Sequence, residues 1–480
     1  MYVIKLPNEI SEVCVNKNLS LKESMRKIDK LSLGFICVVD DNKNLCGVAT
    51  DGDIRRGIVQ GLGINDKIEQ VMNKNYYFAK KDNLKKDLLG IIKKISSMQP
   101  DIKENKKVLD FSMKKIPVVN ENNKIVDLAV ISGMSGNEKI TFINEHNLKS
   151  NRSVLVVGGA GYLGSVLIRK LLNKGYYVKV LDILNFGDKS VKDLYSNSSF
   201  EFIKGDARNI RILNNALKDV DVVVHLAAVV GDPACREYPQ EAIETNYLTT
   251  TILAQACKYH QINRFIFAST CSVYGYSPEK ITEESELNPL SLYARSKIMS
   301  ENSILALEDE NFSPTILRMG TLYGYSPRMR FDLVVNTLTK NAFVNKKIEI
   351  FGGKQWRPLL HVGDAAEAYI RCIESPIEKV KGEIFNVGNT DENYQIFALG
   401  KLVKELMPEI ELINKDKEMI EGKFDERSYN VCFDKIFNLI NFRTTKSVKD
   451  GIIEIKKALE NRNIENPQDA VHYNLKPKIK

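Results

Sequence analysis

The sequence predicts an α/β protein in two parts: a doubly wound parallel sheet with a smaller C-terminal part, preceded by an α+β unit. Three observations carry this. Apolar residues 154–157 run into glycines 158, 161 and 164, and then into the helical apolar spacing of residues 165–172. From there to residue 270 short apolar strands alternate with helices, the rhythm of a parallel sheet covered on both faces. Ahead of that turn, the pattern beginning at Ile36 recurs at Ile116.

The chain of 480 residues suits more than one domain, since single cores rarely grow beyond about 250–300 residues. At 43% apolar and 27% charged it has an ordinary globular composition. A net charge of +8 from 69 basic and 61 acidic residues is mild over this length and points to no nucleic-acid partner and no membrane surface. Lys476, Lys478 and Lys480 read as a solvated end. Residues 1–10 carry Lys5, Asn8 and Glu9 and do not read as a signal peptide. No apolar run reaches the roughly 18 residues of a membrane span. Eight cysteines without a Cys-x-x-Cys pair suggest reduced thiols and a cytoplasmic setting. The five histidines show no ligand spacing, and no metal is expected.

In the first part, Ile36-Cys-Val-Val-Asp-Asp-Asn-Lys-Asn-Leu-Cys-Gly-Val-Ala49 parallels Ile116-Pro-Val-Val-Asn-Glu-Asn-Asn-Lys-Ile-Val-Asp-Leu-Ala129. Each copy reads as a β-hairpin with an Asp/Asn/Lys turn, behind a helix over Leu21–Leu31 or over 84–98. Two such copies suggest one unit packed against itself. The pair resembles a tandem CBS module over residues 1–135. Gly47-Val-Ala-Thr50-Asp-Gly-Asp53 matches that family's motif, which implies that Thr50 and Asp53 hold the phosphate and ribose of an adenine nucleotide. Read from the residues alone, the same pair is equally a helix N-cap. The second copy has Val130 and Gly133 at these places, so that half-site is lost. An oligomerisation or docking module is the other reading. Residues 136–152 are polar and read as a linker, so the second domain is expected over 153–470.

In the second part the glycine turn joins a strand to a helix start, the arrangement that lets backbone N–H groups and the helix dipole hold a pyrophosphate. Tyr177–Asp182 is a strand ending in an acid, about 20 residues on, where a carboxylate accepts from adenosine ribose hydroxyls and repels a 2′-phosphate; NAD is therefore favoured over NADP. Strands at 200–206, 220–228 and Arg264–Thr270 follow, with a helix over 241–259. Ligands bind at the carboxyl ends of such strands, where Asp182, Asp206, His225 and Thr270 fall.

Tyr293-Ala-Arg-Ser-Lys297 places a phenol and an ammonium on one helix face. The cation is expected to lower the phenol's pKa from about 10, making Tyr293 a proton acceptor for a sugar hydroxyl that Thr270 orients.

With these motifs in hand, residues 153–465 resemble an extended short-chain dehydrogenase/reductase with a Rossmann-like sheet, of the NAD-dependent nucleotide-sugar epimerase/dehydratase family. The matching stretches are 158–164, Gly205-Asp206, His225-Leu-Ala-Ala228, Glu244-Thr-Asn246, Ser269-Thr270 with Val273-Tyr-Gly275, Tyr293 to Lys297, Arg318-Met-Gly-Thr-Leu-Tyr-Gly324 and Arg357-Pro-Leu-Leu-His-Val-Gly-Asp364. The resemblance implies that Gly158, Gly161, Tyr162, Leu163 and Gly164 cradle NAD, that Asp206 and Ala207 flank its adenine, and that Leu226 and Ala227 line it. It places Asn246 near the cofactor and has Lys297 bind the nicotinamide ribose. Arg357 corresponds to an arginine that contacts the substrate's pyrophosphate, Arg427 is a second candidate, and Arg330 lines the sugar pocket. It also implies a homodimer.

The implied activity is oxidation or epimerisation of a nucleotide-linked sugar through a 4-keto intermediate, in glycan precursor synthesis. The 4,6-dehydratases carry an Asp-Glu pair after the catalytic Thr; here Cys271 and Ser272 stand there, which disfavours dehydration. Epimerase and 4-dehydrogenase remain open. A non-catalytic NAD or nucleotide sensor is the alternative of another class, opposed by the intact Thr270, Tyr293 and Lys297.

Overall fold

The computed structural model describes residues 10–31, 34–84, 86–88, 90–91, 114–132, 139–142, 153–415 and 427–474. The chain divides into two compact units, Met1–Arg152 and Ser153–Lys480.

The first unit contains a sheet of β1 (Cys14–Asn16), β2 (Phe35–Val39) and β3 (Leu45–Thr50), and a second of β4 (Ala79–Lys80), β5 (Lys114–Val119), β6 (Ile125–Ser132) and β7 (Lys139–Phe142). The repeat is real at the level of turn chemistry. In the first hairpin Asp40 Oδ1 accepts from Asn42 N and Asn44 N, and Lys43 takes a φ of 66°. In the second, Asn120 Oδ1 accepts from Asn122 N and Lys124 N, and Asn123 takes a φ of 57°. The short polar side chain at the turn's start satisfies its N–H groups in both copies. The two turns also meet: Leu45 N donates to Asn123 O at 3.0 Å, and Asn123 Nδ2 donates to Leu45 O at 3.2 Å. Val119 and Leu128 of the second copy pack into the core of the first. One difference from expectation appears. Residues 139–142, within the stretch read as a linker, form β7 and pair with β6, because Lys-Ile-Thr-Phe is a short alternating strand that polar flanks conceal. The helix expected over 84–98 and the lysines of the tail lie mostly outside the described residues.

The second unit is built on β8 (Ser153–Val157), β9 (Tyr177–Asp182), β10 (Phe200–Lys204), β11 (Val222–His225) and β12 (Arg264–Thr270). Beyond them come β13 (Tyr276–Ile281), β14 (Ser313–Met319), β15 (Thr321–Tyr323), β16 (Lys347–Ile350), β17 (Trp356–His361), β18 (Ile384–Val387), β19 (Asn393–Gln395), β20 (Glu411–Asn414) and β21 (Ser428–Val431). Seven of them form one parallel sheet in the order β10-β9-β8-β11-β12-β14-β18. This is the Rossmann-like arrangement expected. Each residue of β8 is buried, as in a central parallel strand covered on both faces. Its side chains alternate between two cores: Val154 and Val156 join Leu167, Val178 and Tyr369, whereas Leu155 and Val157 join Leu253, Phe265 and Ile304.

The chain runs outward from β8 through β9 to β10 and then returns to β11 on the other side of β8. A crevice opens at the carboxyl ends of β8 and β11, the switch point at which such sheets bind ligands. The smaller strands and the helices Val334–Asn345, Ile396–Leu406 and Val448–Glu460 form a second core that supplies the opposing wall.

The glycine turn closes this corner. A Cβ on Gly164 would lie 2.5 Å from Gly158 O and 2.6 Å from Gly159 Cα, both backbone atoms that cannot swing aside. Gly164→Ala is therefore expected to destabilise the second unit by about 1–3 kcal/mol through overpacking. Denaturant unfolding checks this, and an unchanged midpoint would contradict the packing described.

Candidate active site

A cavity of about 780 Å³ lies over the carboxyl ends of the sheet, lined by residues of the glycine turn at one end and by Thr270, Tyr293 and Lys297 at the other. Gly158 turns the chain out of β8 with a φ of 87°, and a Cβ there would lie 2.6 Å from Ala227 N. Gly161 precedes the helix Tyr162–Asn173 without a side-chain cap, so the first N–H groups of that helix are left for an anion. A Cβ on Gly161 would meet only Gly158 O, at 3.3 Å, and otherwise enter open space. Leu163, Leu226 and Ala227 line the same end. Tyr162 is buried deeper, its hydroxyl donating to Gly324 O at 2.7 Å.

Asp182 ends β9 beside this turn. Its Oδ2 accepts from Ala160 N at 2.9 Å and its Oδ1 from Leu184 N at 2.8 Å. Burial raises its pKa, against those two bonds and the charge of Arg328. The carboxylate thus braces the turn while lining the cavity. Asp206 and Ala207 also line it, with Asp206 held by Arg208 at 2.7 Å, which lowers its pKa. The uncapped helix, the open side of Gly161 and the two strand-end acids fit a dinucleotide.

Asn246, expected near the cofactor, holds a loop that lines the cavity. It is buried on a π-helical turn, Glu244–Leu248, behind the cavity wall. Its Oδ1 accepts from Val229 N at 2.7 Å and its Nδ2 donates to Val229 O at 3.0 Å and to Ser296 Oγ at 3.2 Å. It clamps the loop that follows β11 to the helix Leu292–Leu305. A π turn at such a place often marks a functional site.

Thr270, Tyr293 and Lys297 converge as the sequence implies. Lys297 is 2% exposed, with Nζ donating to Ala268 O at 2.8 Å and lying 5.9 Å from the centre of the Tyr293 ring. Burial lowers its pKa to about 8. Tyr293 corrects the expectation of a lowered phenol. In the chain alone its pKa is raised by burial, opposed first by Arg330. At 9% exposure, desolvation of the phenolate outweighs the cations around it. Thr270 Oγ1 accepts from Ser272 N at 3.1 Å, and its hydroxyl is hydrogen-bonded to the Tyr293 phenol.

Cys271 points away, its thiol donating to Arg318 O at 3.2 Å, and burial raises its pKa. Ser272 does line the cavity, with Oγ 3.3 Å from the Tyr429 hydroxyl. Beneath this end a buried ion pair, Arg318 with Glu301 at 2.7 Å, ties β14 to the helix of Tyr293, and Glu301 also accepts from Ser269.

Of the three arginines expected to meet substrate, all line the cavity and all are engaged. Arg357 donates to Trp356 O at 2.8 Å and to Arg427 O, and lies over the Tyr429 ring. Arg330 forms two bonds to Asp332, at 3.0 and 2.6 Å. Arg427 pairs with Asp232 at 2.9 Å and donates to Ser272 Oγ at 3.4 Å, so it faces the Thr270 end of the cavity. Asp232 is an addition that the sequence reading did not single out, and Arg328, expected with Arg330 and Asp332 along the sugar pocket, also lines the cavity. Arg328 is buried over the Phe186 ring at 3.7 Å, and its Nε and Nη2 have no partner among the described residues. An acid directly after the β11 loop, in Gly231-Asp232-Pro233, was the available signal for the first.

In the first unit, Thr50 and Asp53 form a capping box on the helix Asp51–Val59: Asp53 N donates to Thr50 Oγ1 and Thr50 N to Asp53 Oδ2. Arg56 also binds Asp53. The cap, one of the two readings of this pair, is thus formed.

Residues 154–388 match the model of the NAD dependent epimerase/dehydratase family, and residues 8–60 that of the CBS domain. The chain is 30% identical over 312 residues to the uncharacterized UDP-glucose epimerase YtcB of Bacillus subtilis (strain 168), covering 62% of this chain and 95% of that protein. It is 30% identical over 278 residues to the dTDP-D-glucose 4,6-dehydratase of Bos taurus, covering 56% of this chain and 76% of the other. Among solved structures, the UDP-glucuronic acid 4-epimerase of Bacillus cereus in complex with UDP-glucuronic acid and NAD superposes with a TM-score of 0.58 at 27% identity, over 64% of this chain and 99% of that one.

Lys297 carries a testable linkage. Its pKa falls from 10.5 to about 8 on folding. Between those values the unfolded chain still binds a proton that the folded chain has released, so this residue's contribution to stability rises with pH across that window and is constant, at its least favourable, below it. The stability of the native chain relative to Lys297→Met should increase from pH 8 to pH 10.5 in denaturant titrations. A flat difference would contradict the buried ammonium.

Proposed function

The chain belongs to the NAD-dependent epimerase/dehydratase family, and from that premise we propose that it oxidises a nucleotide-linked sugar at C4, as an epimerase or a 4-dehydrogenase. The observation that carries this is the convergence of Thr270, Tyr293 and Lys297 on one cavity whose far end is the glycine turn and Asp182.

NAD, when bound, accepts the hydride. The rest falls to the chain's own side chains. Gly158, Gly161, Gly164 and the uncapped helix hold the pyrophosphate, with Asp182 and Asp206 near the adenosine. Thr270 donates to the sugar oxygen and fixes its direction. Tyr293 takes the hydroxyl proton. Since burial holds the phenol protonated in the chain alone, charge brought into the cavity with the ligands has to offset desolvation, and the Arg330 guanidinium and the Thr270 hydrogen bond add to it. A general base contributes typically about 10²–10⁴-fold. Arg357, which lines the cavity, is the residue this reading assigns to the sugar's diphosphate, a role for which the planar fork suits it.

Epimerase and 4-dehydrogenase share these residues and differ in whether the ketosugar is reduced again before it leaves. The 4,6-dehydratase reading is disfavoured by Cys271, whose thiol is turned into the core, and by Ser272, a hydroxyl rather than a carboxylate.

The full-length chain, offered UDP-, dTDP- and GDP-linked hexoses, should convert at least one, and Tyr293→Phe should lower kcat by about 100-fold or more. A changed product without net reduced-nicotinamide absorbance identifies an epimerase, and net absorbance a dehydrogenase. Unchanged turnover in the variant, with an unchanged unfolding midpoint, would remove Tyr293 from the mechanism.

A further inference from the structure

The loop that follows β15 is stitched to the first turn of the helix Tyr162–Asn173. Tyr162 donates its hydroxyl to Gly324 O at 2.7 Å and accepts from Asn336 Nδ2 at 3.1 Å. Ser326 Oγ donates to Tyr162 O at 2.7 Å and lies 3.0 Å from Ser165 Oγ. Arg328 N in turn donates to Ser326 Oγ at 3.3 Å. These bonds start the Arg328 side chain beside that helix, and its guanidinium lies 3.7 Å from the centre of the Phe186 ring, in the loop just past Asp182. Its charge is felt at Asp182. Arg328 therefore belongs to the glycine-turn end of the cavity that it lines.

This guanidinium is 5% exposed and has no bonded counter-ion. Nε and Nη2 are enclosed and bind nothing among the described residues. Nη1 is the nitrogen that is not enclosed, and it carries the guanidinium's surface on the cavity. The two acids whose charge reaches the side chain are engaged elsewhere. Asp332 is held by Arg330 through both oxygens, and Asp182 accepts from Ala160 N and Leu184 N. Arg330 adds a like charge, and burial lowers the pKa of Arg328 from 12.5 to about 9. The other cations that line the cavity, Arg208, Lys297, Arg330, Arg357 and Arg427, each donate to a protein oxygen. A buried cation without a partner is costly, and an oxyanion brought to Nη1 offsets that cost in a place already stripped of water. The uncapped start of the helix Tyr162–Asn173 offers N–H groups to the same anion.

Resting on the reading that this end of the cavity takes NAD, we propose that Arg328 binds the pyrophosphate of the dinucleotide, adding a guanidinium to the N–H groups of the glycine turn. Nη1 donates to a phosphate oxygen in a charge-assisted hydrogen bond. Asp182, which repels a 2′-phosphate, leaves the pyrophosphate as the anion at this end. The loop that carries Arg330 and Asp332 then holds the cofactor as well as walling the cavity.

The test uses the full chain, treated to remove bound nucleotide, and compares it with Arg328→Met, whose unbranched apolar stem keeps contact with Phe186. Titration calorimetry measures NAD, ADP-ribose, NADP and UDP. The variant should bind NAD and ADP-ribose about tenfold to 100-fold more weakly than the native chain. UDP, a diphosphate without the adenosine half, should bind the two proteins alike. The ligand-free variant should unfold at a denaturant midpoint no lower than the native one, because the substitution removes an unpaired buried charge. Unchanged affinity for NAD and ADP-ribose, or a loss as large for UDP, would overturn the inference. So would a midpoint that falls together with NAD affinity, which is the mark of a structural arginine. NADP bound more tightly than NAD by the native chain, with that preference lost in the variant, would move the guanidinium to a 2′-phosphate and overturn the assignment. Where Arg328→Met does not fold, Arg328→Gln gives the same readings. A native chain that binds neither NAD nor ADP-ribose would refute the NAD reading itself, whereas equal binding by native chain and variant refutes the part given to Arg328 alone.

Discussion

A close backbone approach, Gly158 against Ala227, holds the second unit's site together. Without a side chain at 158 the end of β8 can touch the start of the loop after β11, and without one at 164 the first turn of the next helix can lie on the glycine turn. Both contacts are backbone against backbone and leave no soft atom to yield. They bring a helix N-terminus, the Asp182 strand end and the β11 loop to one crevice. A larger residue at either place would separate the phosphate cradle from the loop that carries Asp232.

From that corner the site is extended by pieces that hold one another. Asn246 grips the β11 loop and reaches Ser296 on the helix of Tyr293 and Lys297. Glu301, farther along that helix, binds Arg318 of β14 and Ser269 beside Thr270. The side chains assigned to chemistry are thereby fixed by buried polar groups behind them, on strands and helices rather than on free loops. Burial has an electrostatic consequence as well. It lowers the ammonium of Lys297 and raises the phenol of Tyr293, so the chain by itself holds the pair nearer to neutrality than a solvated pair would be. The charges of bound ligands are then able to shift the phenol.

Much of this was legible in the sequence because it is local. A strand, a glycine turn and a helix start are written in consecutive residues, and so is the Tyr-x-x-x-Lys face. The repeated hairpins were legible too, down to the Asp40 and Asn120 turns. What was not legible depends on residues far apart in the chain. The Arg427–Asp232 pair joins two loops from opposite ends of the unit, which leaves Arg427 beside Ser272. Asn246 was expected near the cofactor, and only the fold shows that its amide is bound by Val229 and Ser296. The direction of the Tyr293 shift was misjudged because spacing reveals a neighbouring cation and does not reveal desolvation. The strand at 139–142 was missed because four residues between polar flanks carry too little periodicity.

The central claim is that this cavity removes a hydride from C4 of a nucleotide-linked sugar. A substrate carrying deuterium at C4 tests it most directly, with the full chain and stoichiometric NAD. Mass spectrometry should find the deuterium on the nicotinamide in a single turnover, and none of it there with Tyr293→Phe. Product formed with the deuterium still at C4, or lost to solvent, would contradict the account.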